Sequence, residues 1–233
     1  MIMKGIKAVV FDMFNTLANN SVDFWLKKFK NIVDRNGFDI DYQEFWETWR
    51  IGDKMFSEQR VNPTNGFISY LDGWTNSFEY ALNKTNNSAN PTLLAKECIY
   101  DLGTRPLFGD TSRVLNELSE HYKIAIASNA DNDFLHPVVD RINANLETVV
   151  SSEDVGSYKP MPDIFNETLS RLDMDPSEVL YVGDRQYEDV EGPMSIGMKA
   201  VWINRKKELL DGNLISPYAE ISDLTGLLDV LNN

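Results

Sequence analysis

Ala8-Val9-Val10-Phe11-Asp12-Met13-Phe14-Asn15-Thr16-Leu17 is the stretch that decides the fold. Four apolar residues stop abruptly at a carboxylate, the pattern of a strand buried on both faces of a parallel sheet. The pattern returns as Ile124 to Ala127 before Ser128, Leu180 to Val182 before Gly183-Asp184, and Ala200 to Ile203 before Asn204, with a short strand around Val149. Helical spacing separates these runs: Val114, Leu115 and Leu118; then Ile164, Phe165, Leu169 and Leu172; then a short helix near Met194. Strands alternating with helices imply right-handed crossovers and an α/β, doubly wound parallel sheet. Polar residues at the C-terminal strand ends then meet in one crevice, where such sheets bind ligands.

The interval 18–105 breaks this rhythm and reads as helices only. Its apolar positions are Phe24, Trp25, Phe29, Ile32 and Val33; then Tyr42, Phe45, Trp46 and Trp49; then Phe67, Leu71, Trp74, Phe78 and Leu82; then Leu93, Leu94, Cys98, Ile99 and Leu102. Spacings of three, four and seven suit a helical bundle. Asn90 followed by Pro91 is the start signal of the last helix. Four of the five tryptophans fall in this interval, and packing of the bundle is their ordinary use. The domains expected are therefore a sheet core formed by 1–17 and 106–233, and a helical insert at 18–105.

Composition narrows the function. A formal charge of −14 argues against nucleic acid or an anionic membrane as a partner. A single cysteine, Cys98, excludes an internal disulfide and a thiolate-rich zinc site. With only His121 and His136, histidine-centred chemistry has little material. No run approaches the roughly 18 apolar residues of a membrane span, and the N-terminal apolar run is too short for a signal peptide. A cytoplasmic protein acting on a small molecule is expected.

Asp12 at a strand end suits a nucleophile or a metal ligand, and equally a turn residue. Asp184 and Asp189, taken alone, suit a loop turn and a helix N-cap as well as a cation site. Taken together, FDMFNTL (Phe11 to Leu17), IASNAD (Ile126 to Asp131), GSYKPMPDIF (Gly156 to Phe165) and YVGDRQYEDVEG (Tyr181 to Gly192) resemble, in order and spacing, the four motifs of the haloacid dehalogenase superfamily. The likeness runs over essentially the whole chain. It implies a Rossmann-like core with a helical cap inserted after the first motif. It also implies that Asp12 is the nucleophile, forming an aspartyl ester or aspartyl phosphate that water hydrolyses. A phosphoryl group brings negative charge toward Asp12, so the site must neutralise both. The resemblance assigns this to Mg²⁺, held by Asp12, the main-chain carbonyl of Phe14 and Asp184, with Asp189 holding a metal-bound water. Lys159 would bridge Asp12 and the transferred group, while Ser128, Asn129 and the Thr16 hydroxyl would bind its oxygens.

One position departs from the phosphatase pattern. Phosphatases of the superfamily carry a second Asp two residues after the nucleophile, where this chain has Phe14. Losing a general acid and base costs about 10² to 10⁴ in rate. A halide leaving group needs no proton, and the superfamily's dehalogenases lack that Asp. Arg50, after Glu47-Thr48-Trp49, stands much as their carboxylate-binding arginine does. Those enzymes, however, carry Ser-Ser-Asn where this chain has Val182-Gly183-Asp184, and the retained acids favour Mg²⁺. The expected function is a Mg²⁺-dependent phosphatase of a small phosphorylated metabolite, acting through an aspartyl phosphate. The alternatives are a metal-independent 2-haloacid dehalogenase and a phosphate-ligand binder with negligible turnover.

Overall fold

A computed structural model describes residues 5–62, 64 and 66–232, so the outer bounds 1 and 233 drawn from the sequence lie outside the described residues. Six strands form one sheet: β1 (Ala8–Phe11), β2 (Lys123–Ser128), β3 (Thr148–Ser151), β4 (Val179–Gly183), β5 (Lys199–Ile203) and β6 (Ala219–Ile221). Their order is β3-β2-β1-β4-β5-β6 and every pairing is parallel. β1 is central, flanked by β2 and β4, so the chain's direction across the sheet reverses at β1. Strand β6 was not expected. Its three residues, Ala219-Glu220-Ile221, carry a charge at the middle and give no apolar run.

The chain divides into two compact units, Met1–Asn19 with Arg105–Asn233, and Asn20–Thr104. The bounds differ slightly from 17 and 106 because Ala18 pairs with Leu107 and the Asn19 N–H donates to the Pro106 carbonyl. The second unit contains α1 (Val22–Asn36), α2 (Tyr42–Arg60), α3 (Tyr70–Thr85) and α4 (Pro91–Leu102). Helix α3 starts at Tyr70, after Phe67, because the Ser69 hydroxyl caps the Asp72 N–H. Asn90 caps α4 through the Leu93 N–H, with Pro91 in the first turn as expected. Phe29, Phe45, Trp49 and Phe78 are buried and form one ring cluster, with Phe29 and Phe78 stacked at 5.6 Å.

In the sheet unit the helices are α5 (Thr111–Ser119), α6 (Asn132–Val139), α7 (Ser152–Val155), α8 (Pro162–Leu172), α9 (Gly192–Ser195) and α10 (Thr225–Asn232). Alternate residues Ala8, Val10, Ala125, Ala127, Val179 and Tyr181 share a core with Ile164, Phe165, Leu169 and Leu172 of α8. That burial fixes the strand registers, and the registers align the strand ends. No helix among the described residues is long and apolar enough to cross a membrane.

Candidate active site

Phe11 lies beside Ile126 of β2 and Val182 of β4, so Asp12, Ser128 and Asp184 leave the sheet along one edge. The Asp12 N–H donates to the Val182 carbonyl at 2.9 Å, which holds the residue at the strand end. Its Oδ1 accepts from Ser128 Oγ at 3.0 Å and from Lys159 Nζ at 2.8 Å.

Lys159 reaches this position because its loop is clamped. Gly156 ends α7 at φ 63°, a conformation a side chain would disfavour. Asn129 then brackets the Lys159 backbone, accepting its N–H at 2.7 Å and donating to its carbonyl at 3.1 Å. The side chain is fully buried, and its ammonium donates to Asp12 at 2.8 Å, Asp189 Oδ1 at 2.6 Å and the Tyr181 hydroxyl at 2.8 Å. Burial alone would lower the lysine pKa, but Asp12 and Asp189 outweigh it and hold the group well above the usual lysine range. Burial pushes the Tyr181 phenol well above its usual range, so it stays protonated.

Asp189 sits in a turn of π-helix, Gln186–Glu191, entered directly after Asp184. Its Oδ2 accepts the Arg185 N–H at 2.9 Å, closing that turn. Burial raises the Asp189 carboxyl, Lys159 opposes the rise, and Asp12 and Glu188 add to it, leaving the group at about 6. Burial, with Asp12 and Asp189 alongside, holds half-buried Asp184 well above the usual carboxylate range. Asp12, Asp184 and Asp189 each bring a carboxylate oxygen within 4.8 Å of the others. Two of these three carboxylates share the one buried ammonium and Asp184 stands beside them, an arrangement that a small divalent cation with hard oxygen preferences fits. A cleft of about 300 Å³ opens beside Asp184, lined also by Arg185, Tyr187 and Lys206.

Phe14 and Thr16 lie on the turn after Asp12. Phe14 is half-buried with its ring 5.5 Å from that of Phe134. Asn15 between them adopts φ 67°, and the Thr16 carbonyl accepts from Arg205, which Asp110 holds at 3.1 Å over the Phe108 ring. The Thr16 hydroxyl is buried and has no hydrogen-bond partner among the described residues. Arg50 lies in the helical unit, exposed on α2, 3.3 Å from Glu47 and stacked over Trp46 at 5.0 Å. Of the residues singled out from sequence, Asp12, Ser128, Asn129, Lys159, Asp184 and Asp189 are thus joined in one network or cluster, with Phe14 and Thr16 on the adjoining turn.

Three further residues shape the site, and the sequence reading assigned them nothing. Tyr181 reads as one more apolar strand residue. Trp202 donates its indole N–H to the Asp184 carbonyl at 2.9 Å from the neighbouring strand. Gly183 was read only as a strand end, yet a methyl group there would collide with the Asp189 carboxyl carbon. Buried polar atoms within apolar strands were the one available signal for Tyr181 and Trp202.

The profile of haloacid dehalogenase-like hydrolases matches residues 6–197. A glyceraldehyde 3-phosphate phosphatase from Pyrococcus furiosus is 27% identical over 241 residues, covering 98% of this chain and 94% of its own. An (S)-2-haloacid dehalogenase from Pseudomonas sp. is 26% identical, covering 98% of both chains. Among solved structures, the Bacillus subtilis protein YfnB bound to magnesium superposes with a TM-score of 0.82 at 18% identity, over 99% of this chain and 100% of its own. With the profile spanning most of the sheet unit and all of the helical one, the chain belongs to the haloacid dehalogenase-like hydrolases.

Proposed function

We propose that this hydrolase cleaves the phosphate monoester of a small metabolite, with Asp12 as nucleophile and Mg²⁺ as cofactor. The observation that carries the reading is the approach of Asp12, Asp184 and Asp189 to within 4.8 Å of one another, with one ammonium, that of Lys159, bonded to Asp12 and Asp189 and none bonded to Asp184 among the described residues, a charge balance that calls for a cation. Asp12, Asp184 and the Phe14 carbonyl would hold Mg²⁺, with Asp189 in its surroundings. When bound, the ion supplies positive charge to the phosphoryl oxygens and to the attacking carboxylate.

The remaining chemistry belongs to the chain. Ser128 and Lys159 both bond Asp12 Oδ1, so Oδ2 is the oxygen left to attack phosphorus. The P–O bond to the leaving group then breaks, and water attacks the resulting aspartyl phosphate, releasing phosphate and restoring the Asp12 carboxylate. The unpartnered Thr16 hydroxyl, with Ser128, is suited to bind phosphoryl oxygens. Phe14 supplies no proton to the leaving alkoxide, so turnover is slow or favours esters whose alcohol is acidic. The phosphatase relative gives this reading further support.

Phe14 also favours a second reading, 2-haloacid hydrolysis, in which Asp12 attacks carbon, the C–halogen bond breaks without a proton, and Arg50 holds the substrate carboxylate. The dehalogenase relative lends it weight. Assays on p-nitrophenyl phosphate and 2-chloropropionate, each with Mg²⁺ and with EDTA, separate the two. Phosphate release that EDTA abolishes is expected; halide release indifferent to EDTA, without phosphate release, overturns the proposal.

A further inference from the structure

Strand β4 carries one polar side chain, that of Tyr181, and it has no solvent exposure. A phenylalanine would fill nearly the same volume, and an unbonded hydroxyl carried into an apolar interior costs about 1–3 kcal/mol. The Tyr181 hydroxyl is bonded twice: it donates to the Ala127 carbonyl at 2.6 Å and accepts from Lys159 Nζ at 2.8 Å. The first bond commits the phenolic hydrogen, so an oxygen lone pair faces the ammonium.

An ammonium has three N–H groups. Three acceptors lie close to Nζ, namely Asp189 at 2.6 Å, Asp12 at 2.8 Å and Tyr181 at 2.8 Å, while the Ala127 carbonyl is farther away at 3.3 Å. Two of the three N–H directions therefore end on carboxylates and the third on a neutral, anchored oxygen. The Tyr181 ring stands edge-on to Phe165 at 5.4 Å and 81°, which fixes the anchor from its other side. Without the hydroxyl, the third N–H is left to the Ala127 carbonyl, which itself loses its short donor. Nζ then loses one of the three close acceptors that hold it beside Asp12 and Asp189.

We propose that Tyr181 is a positioning residue for the reaction: its hydroxyl, held by the Ala127 carbonyl, sets the place of Lys159 Nζ against Asp12. This rests on the reading of Asp12 as the nucleophile and Lys159 as its partner. With no exposed surface, Tyr181 meets no substrate and acts through Lys159, on the rate of the step at Asp12 and not on binding.

The test is Tyr181→Phe in the full-length protein, assayed on whichever ester or haloacid the wild-type enzyme hydrolyses. The expected result is a kcat about ten- to a hundredfold lower with KM changed by less than about twofold. The thermal midpoint of that variant stays within about 5 °C of wild type, whereas Tyr181→Leu, which also removes the ring, lowers it further. Full kcat in Tyr181→Phe, or a raised KM with kcat unchanged, overturns the proposal. Failure of Tyr181→Phe to fold overturns it too, since the hydroxyl would then serve the fold alone. Halide release in place of phosphate release by the wild type contradicts the reaction proposed above, and the same variant still decides the role of Tyr181.

Discussion

The two units fill their interiors with opposite materials. Beyond the strand ends of the sheet unit, Asp12, Lys159 and Asp189 are all buried, with both carboxylates bonded to the one ammonium. In the helical unit the largest fully buried side chains are rings, with Phe29, Phe45 and Phe78 fully covered and Trp49 nearly so. Burying rings stabilises a fold in proportion to the area removed from water. Burying three charges does not, since the desolvation of each rivals the attraction between them. The helical unit's interior is accounted for by packing, and the sheet unit's polar cluster is not, which is what the proposed chemistry at Asp12 would explain.

The comparison can be broken most sharply at Asp12. Asp12→Asn keeps the shape of the side chain and removes the proposed nucleophile; kcat is expected to fall by about 10⁴ or more while the protein still folds. Retained turnover at the wild-type rate would place the chemistry elsewhere. In the helical unit the parallel change is Phe78→Ala, expected to cost about 3–5 kcal/mol of stability. Tryptophan emission reports it, because four of the five tryptophans lie in residues 20–104.

Gly183→Ala brings the two effects together, since the added methyl must displace the Asp189 carboxylate that Lys159 bonds. A loss of about 10² in kcat, with a modest fall in thermal midpoint, is expected; an unchanged kcat would show that Asp189 can move without consequence. Phe14→Asp places an acid two residues after the proposed nucleophile and, on the phosphatase reading, is expected to raise turnover about tenfold or more. No gain in a folded protein would mean that proton supply is not limiting. Arg50→Ala should matter least. Its ion pair with Glu47 is exposed, so less than about 1 kcal/mol of stability is at stake, and KM for a phosphate ester is expected to stay within about twofold. A large rise in KM for 2-chloropropionate would instead favour the dehalogenase reading.

How much was legible in the sequence follows the same division. Strands β1, β2, β4 and β5 could be read because burial on both faces demands continuous apolar runs, and the runs of β1, β2 and β4 lead directly to Asp12, Ser128 and Asp184 of the site. The four helices of 20–104 showed themselves by spacing and by caps such as Asn90. What could not be read were bonds between residues far apart in the chain. Lys159 meets Tyr181 across 22 positions, and Arg205 meets Thr16 across 189. Such pairs leave no local period. The sequence reading set Lys159 beside Asp12, facing the transferred group, but gave it no bond to Asp189, which the turn after Asp184 carries inward onto the ammonium. Strand β6 and the short helix α7 were hidden for a simpler reason, being too brief to carry a pattern.

The central claim is that Asp12 receives a phosphoryl group while a divalent cation sits among Asp12, Asp184 and Asp189. A crystal structure of the protein with Mg²⁺ and beryllofluoride, a phosphoryl mimic, tests it most directly. The expected result is the mimic on an Asp12 carboxylate oxygen, with an ion bound by Asp12 and Asp184 and Asp189 turned toward it. An unmodified Asp12 with no ion at saturating Mg²⁺, in protein that forms an Asp12 ester with 2-chloropropionate in EDTA, would contradict it.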